Sequence, residues 1–265
     1  MTESLAAALR RLHGAGGKAF VPYATAGLEG VDAALLVGYE SAGAHAVEVG
    51  IPFSDPVMDG PVIQEASGRA LESGTIPADA FALVRAARKA GLSAPVAFMT
   101  YLNPVLAEGM EAFLDAVAGC GASGVIVPDL PVDEAGEWVA ACRARDVAPV
   151  LLAAPNSTPE RLAAIAGSAA GFVYCVSTFG VTGSRHELST SAEVVVGALR
   201  PITETPLLVG VGISTPEQAA EACGFADGVV VGSALVEPML AGDRDEALSR
   251  ARAFGAAVAG ASGQE

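Results

Sequence analysis

Short runs of apolar and β-branched residues recur along the chain and alternate with segments whose apolar residues return every three or four positions. The runs indicate strands that are covered on both faces, and the periodic segments indicate amphipathic helices. The predicted strands are Ala19–Thr25, Ala46–Gly50, Pro95–Tyr101, Gly124–Pro128, Ala148–Ala153, Gly171–Ser177, Pro206–Val211 and Gly228–Val231.

Predicted helices separate the strands, precede the first one and follow the last. This alternation is typical of parallel βαβ units. The helices are Ser4–Leu12, Val31–Ala42, Pro61–Glu72, Ala78–Ala90, Met110–Ala118, Asp133–Arg145, Pro159–Ala166, Ser191–Leu199, Pro216–Ala222, Ala234–Leu240 and Glu246–Val258.

The number of strand–helix units and the length of 265 residues predict an α/β fold, a (β/α)8 TIM barrel with an extra N-terminal helix. We expect a single barrel domain over residues 1–265, with the N-terminal helix in 1–15 and a frayed tail in 259–265. A doubly wound open sheet is the alternative fold. No GxGxxG pattern follows the first strand, which argues against a dinucleotide-binding version of that sheet.

A formal net charge of −15 argues against nucleic acids and anionic membranes as partners. The negative net charge does not exclude an anionic small substrate, because backbone N–H groups can bind an anion locally. The four cysteines form no CxxC pair, so we expect buried thiols and a cytoplasmic location. The chain begins without a signal-peptide pattern, and no apolar run reaches the roughly 18 residues of a membrane helix.

Two carboxylates lie at the end of the second predicted strand and in the loop after it, within AVEVGIPFSDPVMDGPVIQ. Glu48 belongs to an otherwise apolar strand, where burial of its charge is costly and should raise its pKa. Asp59 lies in the loop, where it should stay ionised. Such a pair predicts acid–base chemistry. The alternatives are a structural hydrogen bond for Glu48 and an ordinary loop residue for Asp59, while Asp55 is expected to shape the loop.

Glycine clusters follow the last three predicted strands, at 180–183, 210–214 and 232–234. The third cluster opens a short helix, whose free N–H groups and dipole attract an anion. Barrels often bind phosphate at this position, although glycines can also serve only as tight turns. The sequence therefore predicts a phosphate site formed by backbone amides and hydroxyls, without a nearby lysine.

Imine and metal chemistry are disfavoured by the positions of the lysines and histidines. Lys18 precedes the first strand and Lys89 lies on a helix, so neither reaches the catalytic end of a barrel. The three histidines, His13, His45 and His186, are scattered and show no metal-ligand spacing. We therefore predict no metal site.

GIPFSDPVMDGPVIQ closely resembles the signature of the tryptophan synthase α-subunit family. The resemblance runs over nearly the whole chain. It includes FVPYATAG, MTYLNPV, VPDLPVDE, STFGVTG, VGVGIST and VVVGSALV, in the order found in the family.

The resemblance implies a (β/α)8 barrel that cleaves indole-3-glycerol phosphate to indole and glyceraldehyde 3-phosphate. It implies no cofactor in this chain, and a pyridoxal-phosphate β subunit that receives the indole in an α2β2 complex. The implied catalytic residues are Glu48, Asp59 and Tyr174, with Thr182 in a closing loop. The implied phosphate-binding residues are Gly183, Gly212, Gly232 and Ser233.

A carbon–carbon cleavage without imine or metal needs its electron sink in the substrate, and protonation of indole C3 provides one. Glu48 is the expected donor of that proton and the acceptor of the glycerol hydroxyl proton. Asp59 is expected to bind the indole N–H. Tyr23, Leu102 and Phe179 are candidate apolar walls, whereas Phe20 is assigned to the barrel core.

Two positions depart from the family pattern. The first loop reads Gly27–Gly30 where the family often has Gly-Asp-Pro, and Thr178 stands where some members carry arginine. These departures bear on loop conformation and on coupling to the partner. A stand-alone lyase of the same fold is the alternative function. A silent allosteric barrel and another phosphate-binding barrel are less favoured, because both carboxylates are present and the catalytic end lacks a lysine.

Overall fold

The computed structural model describes residues 3–176, 185–210 and 212–262. Within these ranges, eight parallel strands form a closed barrel whose spatial order follows the chain, which confirms the predicted (β/α)8 TIM barrel. The strands are β1 (Ala19–Thr25), β2 (Val47–Gly50), β3 (Val96–Met99), β4 (Gly124–Ile126), β5 (Ala148–Ala153), β6 (Val173–Cys175), β7 (Leu207–Val209) and β8 (Gly228–Val231).

The N-terminal end of the barrel is closed by the first helix, α1 (Leu5–Gly14), which is the predicted extra helix. Leu5 and Leu9 are fully buried in one cluster with residues of the barrel interior such as Val150. A Cβ on Gly124 would lie 2.5 Å from Leu5 Cδ2, so the bare glycine makes room for this plug. Because α1 fills the N-terminal end of the barrel, the space for a ligand lies at the C-terminal ends of the strands.

Helices surround the barrel and cover the outer faces of its strands, which explains why the strand sequences are almost continuously apolar. None of the helices in the described ranges combines the length and hydropathy of a membrane-spanning segment. The remaining helices are α2 (Ala33–Ser41), α3 (Pro61–Glu72), α4 (Pro77–Lys89), α5 (Leu102–Glu108), α6 (Met110–Gly119), α7 (Gly136–Arg143), α8 (Pro159–Ser168), α9 (Arg185–Leu199), α10 (Pro216–Cys223), α11 (Ser233–Leu240) and α12 (Arg244–Ala261).

Many element boundaries differ from those expected by a few residues, and the differences at α5, α9 and α12 are the most informative. Helix α5 was not predicted, and β3 ends before it because Tyr101 already occupies the N-cap position of that helix. Helix α9 begins at Arg185, six residues earlier than expected. Helix α12 continues to Ala261, so residues 259–261 are helical and do not belong to a frayed tail. Alanines favour the extension, and Val258 is fully buried.

A buried carboxylate ties together the N-terminal ends of the last strands. Asp227, directly before β8, is 4% exposed and accepts two hydrogen bonds from the Arg200 guanidinium, at 2.7 and 2.9 Å. It also accepts from the Leu207 N–H at 2.8 Å, and His13 Nδ1 lies 3.2 Å from its second oxygen. These contacts connect α1, β7 and β8 at the end of the barrel opposite the open one.

Asp227→Ala should lower the free energy of unfolding by about 2–4 kcal/mol, because Arg200 and a buried N–H lose their acceptor. Urea denaturation measures the loss. Asp115→Ala is the matched control, since it breaks an aspartate–arginine pair whose carboxylate is 67% exposed, and it should change stability little. Equal losses in the two variants would contradict the assignment.

Candidate active site

A cavity of about 690 Å³ opens at the C-terminal ends of the strands. Its walls are largely apolar and include Ile63, Met99, Ile126, Leu152 and Val230. Such a cavity, with a few convergent polar groups, has the size and character of a small-molecule site. The structure brings six of the predicted site residues to its lining: Glu48, Asp59, Tyr174, Gly212, Gly232 and Ser233.

Glu48 projects from the middle of β2, where it is paired in register with Tyr23 of β1 and Ala97 of β3. Its side chain is 1% exposed, and its Oε2 atom has no hydrogen-bond partner among the described residues. Burial, together with the nearby negative charge of Asp59, raises the pKa of Glu48 to about 8. The carboxyl group is therefore mostly protonated at neutral pH and can both donate and accept a proton.

Asp59 lies between β2 and α3, on the loop that forms one side of the cavity mouth. Its N–H donates to the Pro56 carbonyl at 3.0 Å, and its own carbonyl accepts from Gln64 Nε2 at 2.8 Å. Burial raises the pKa of the Asp59 carboxyl to about 6, and a hydrogen bond with Tyr101 counteracts part of the rise. Asp59 thus remains mostly ionised at neutral pH, in contrast to Glu48.

Two glycines make room for two tyrosine rings in the cavity wall. A Cβ on Gly210 would lie 2.2 Å from the hydroxyl oxygen of Tyr174, the tyrosine in the middle of β6. A Cβ on Gly50 would lie 1.8 Å from the hydroxyl oxygen of Tyr23. Burial and the charges of the two carboxylates raise the pKa values of both phenols, so both stay protonated. The rings therefore present hydroxyl groups to a space that also contains Glu48.

The N-terminus of α11 faces the same cavity. Gly232 is its N-cap residue and offers no side-chain hydrogen bond to the first turn, whereas Thr215 and Gln218 form a capping box on α10. A Cβ on Gly232 would meet Ile63 Cδ1 and Tyr23 Cβ only at 3.9 Å, so the approach is open. Free amides of a helix start favour an anion. Gly212, with φ +88, lines the cavity beside them.

No lysine, arginine or histidine occurs among the described residues that line the cavity. Lys18 Nζ donates to the Ala226 carbonyl at 3.0 Å, near the opposite end of the barrel. His45 lies there too, and its Nδ1 accepts from the Phe20 N–H at 3.2 Å. The described residues contain no group of histidine, cysteine and carboxylate side chains that could hold a metal ion.

Some of the predicted site residues are not among the described residues that line the cavity. Thr182 and Gly183, like Thr178 and Phe179, lie outside the described residues. Leu102 does not line the cavity, because it starts α5, where its N–H donates to Asp129 Oδ1 at 2.9 Å. Phe20 packs in the core against Phe254, with ring centroids 6.3 Å apart, as expected.

Tyr101 was not predicted as a site residue, and it contacts the loop that carries Asp59. Its hydroxyl oxygen accepts from the Met58 N–H at 3.0 Å. The available signal was a tyrosine at the end of a strand, within MTYLNPV.

Comparison with known proteins decides the family. The family model described as tryptophan synthase alpha chain matches residues 9–259. The chain belongs to the tryptophan synthase alpha chain family. A relative in this family, the tryptophan synthase alpha chain of Synechocystis sp., is 41% identical over 256 residues, which cover 95% of this chain and 96% of the relative. The tryptophan synthase alpha chain of Gloeobacter violaceus is 45% identical over 92% of this chain and 89% of the relative.

Solved structures agree with the tryptophan synthase alpha assignment. A chain of Mycobacterium tuberculosis tryptophan synthase superposes with a TM-score of 0.88 at 37% identity, over 98% of this chain and 99% of that one. The match extends over nearly the whole length of both chains.

Glu48→Gln should stabilise the folded chain increasingly as the pH rises. Between pH 4.5 and about 8 the folded protein keeps a proton on Glu48 that the unfolded chain has lost, so stability falls with rising pH. Glutamine has no charge to bury and avoids this loss, with a gain of about 2–4 kcal/mol near pH 8. Chemical denaturation of both proteins between pH 5 and 8 measures the difference, and parallel pH dependences would contradict it.

Proposed function

We propose that this chain catalyses the alpha reaction of tryptophan synthase, the retro-aldol cleavage of indole-3-glycerol phosphate to indole and glyceraldehyde 3-phosphate. The observation that carries the proposal is a pair of carboxyl groups with separated pKa values, about 8 for Glu48 and about 6 for Asp59, in one largely apolar cavity. The described lining has no lysine for an imine, so the substrate itself must accept the electrons of the broken bond.

Glu48 transfers the protons in this mechanism. Its protonated carboxyl group donates to indole C3, which converts the indole ring to a cationic indolenine. The resulting carboxylate then removes the proton from the glycerol hydroxyl next to C3. As that oxygen forms the aldehyde carbonyl, the carbon–carbon bond breaks and its electron pair returns to the indole ring. Glu48 ends the cycle protonated again, with no external proton consumed.

Asp59 stabilises the charge that develops on the ring. Its ionised carboxylate binds the indole N–H, where the positive charge of the indolenine is shared. This interaction is stronger in the cationic state than in neutral indole, which is the requirement for catalysis. Tyr174 is proposed as the third catalytic residue, since its protonated hydroxyl lies in the same cavity. Thr182 is proposed to meet Asp59 when the loop after β6 closes.

The phosphate is proposed to bind at the start of α11. Gly232 and Ser233 provide free amides and a hydroxyl, and Gly212 with Gly183 completes the cradle. The absence of a cation from the described lining fits recognition by backbone N–H groups and a helix dipole.

We further propose that the chain acts with a tryptophan synthase β subunit in an α2β2 complex in the cytoplasm. In this arrangement pyridoxal phosphate belongs to the β subunit, where it converts the released indole. The described cavity of this chain supports that division, since it offers no lysine for an aldehyde cofactor. A stand-alone lyase is the alternative, and indole release measured with and without added β subunit separates the two.

Glu48→Gln should lower indole release by at least about a thousandfold, because glutamine neither donates nor accepts the transferred proton.

For the native protein, kcat/KM should be bell-shaped, falling below about pH 6 as Asp59 is protonated and above about pH 8 as Glu48 ionises. Asp59→Asn should shift the alkaline limb to lower pH, because it removes a negative charge that helps to raise the pKa of Glu48. Near-normal cleavage by Glu48→Gln would refute the mechanism.

Gly232→Asp should weaken binding of glycerol 3-phosphate at least tenfold, because it places a negative side chain beside the helix start. Isothermal titration measures the affinity. Gly68→Ala is the control, since a Cβ at Gly68 of α3 meets nothing within 4 Å. An unchanged affinity of Gly232→Asp would place the phosphate elsewhere.

A further inference from the structure

The loop that carries Asp59, residues 53–60, is held near both ends by Tyr101, the N-cap residue of α5 just after β3. The Tyr101 ring stacks on Phe53, with centroids 5.1 Å apart and planes inclined by 27°. Its hydroxyl oxygen accepts from the Met58 N–H at 3.0 Å. Tyr101 therefore contacts the beginning of the loop by its ring and the end of the loop by its hydroxyl.

The Tyr101 hydroxyl also has a proton to donate. A phenol offers one O–H donor, and the Met58 N–H occupies only a lone pair of the oxygen. The neighbouring Tyr101 hydroxyl lowers the pKa of the Asp59 carboxyl, so the two groups lie close enough to interact. One hydroxyl group thus binds the backbone of Met58 and lies beside the side chain of Asp59.

Few other hydrogen bonds hold this loop among the described residues. Val57 is 78% exposed, and the Val57 and Asp59 N–H groups donate within the loop, to Asp55 and Pro56. Within the described part of the chain, one hydrogen bond connects residues 53–60 to a residue beyond 64, and it goes to Tyr101. The loop would otherwise depend on local turns and on the stacked ring.

Tyr101 is itself fixed independently of the loop. It is 3% exposed, and its neighbours on both sides are tied to the end of β4. The Thr100 N–H donates to the Ile126 carbonyl at 3.0 Å, and the Leu102 N–H donates to Asp129 Oδ1 at 2.9 Å. The hydroxyl is thus presented from a rigid support, as precise placement of a reactive group requires.

We propose that Tyr101 is a positioning residue for the alpha reaction, whose hydroxyl holds the Asp59 carboxylate at the indole-binding side of the cavity. The inference rests on the proposed function, in which Asp59 stabilises the cationic indolenine. Phenylalanine would keep the stack on Phe53 but not the contacts of the hydroxyl. Among the described residues, that hydroxyl binds the Met58 N–H, directly before Asp59.

Tyr101→Phe, Asp59→Asn and the double variant test the proposal in a mutant cycle with indole release as the readout. Tyr101→Phe should lower kcat/KM about tenfold, since it removes the hydroxyl that binds the Met58 N–H and lowers the pKa of Asp59. In the Asp59→Asn background, the same change should have little further effect, because its target is gone. The melting temperature of Tyr101→Phe should stay near that of the native protein, since the ring remains.

The pH profile adds a readout that a structural role would not move. The Tyr101 hydrogen bond lowers the pKa of Asp59, so its loss should shift the acid limb of kcat/KM to higher pH. Tyr39→Phe is the control, because Tyr39 is also buried but lies on α2 and does not line the cavity. It should leave the acid limb unchanged.

The outcomes separate this inference from the proposed function. Equal losses from Tyr101→Phe in the native and Asp59→Asn backgrounds, or an unmoved acid limb, would overturn the positioning role alone. Normal turnover by Asp59→Asn would refute the proposed role of Asp59 and with it the role of Tyr101.

Discussion

A carboxyl group buried in a strand of the barrel, without a cation beside it, is the feature on which the site depends. Glu48 is 1% exposed, and the described lining of its cavity offers no positive side chain. Ionisation of Glu48 is therefore unfavourable near neutral pH, and the folded protein keeps it protonated. The same burial that opposes ionisation gives Glu48 a pKa suited to donating and recovering a proton.

The closed barrel sustains this arrangement by filling one end and opening the other. Leu5 and Leu9 close the N-terminal end, and the Asp227–Arg200 pair secures the strands there. The open end receives the carboxyl ends of all the strands, so residues far apart in the chain share one cavity. Small residues matter as much as reactive ones, since Gly50 and Gly210 leave the space that the rings of Tyr23 and Tyr174 occupy.

Environment also distinguishes the two carboxylates. Glu48 belongs to a strand, where backbone pairing on both sides fixes it and excludes water. Asp59 belongs to a loop with a more exposed surface, where a phenol hydroxyl favours its ionised form. Two chemically similar groups thus acquire opposite protonation states at one pH, which is how a single cavity can provide both a proton donor and a stabilising negative charge.

Local pattern alone determined the fold class and much of its detail. The bounds of β1, β5, β8 and α3 agree with those predicted, because apolar runs and flanking proline and glycine act over a few residues. The unusual position of Glu48 was likewise visible, since a charged residue in an apolar strand is a local anomaly.

Helix α5 was not predicted, because it has seven residues and its first N–H is satisfied by Asp129, 27 positions away. Tyr101 was missed for a related reason: its hydroxyl acts on a loop 43 positions earlier, and the distance between them closes only when β2 and β3 pair in the barrel. The sequence by itself determined which residues can transfer protons, whereas the tertiary structure decided their protonation states, because a pKa depends on burial and on neighbours brought together by folding.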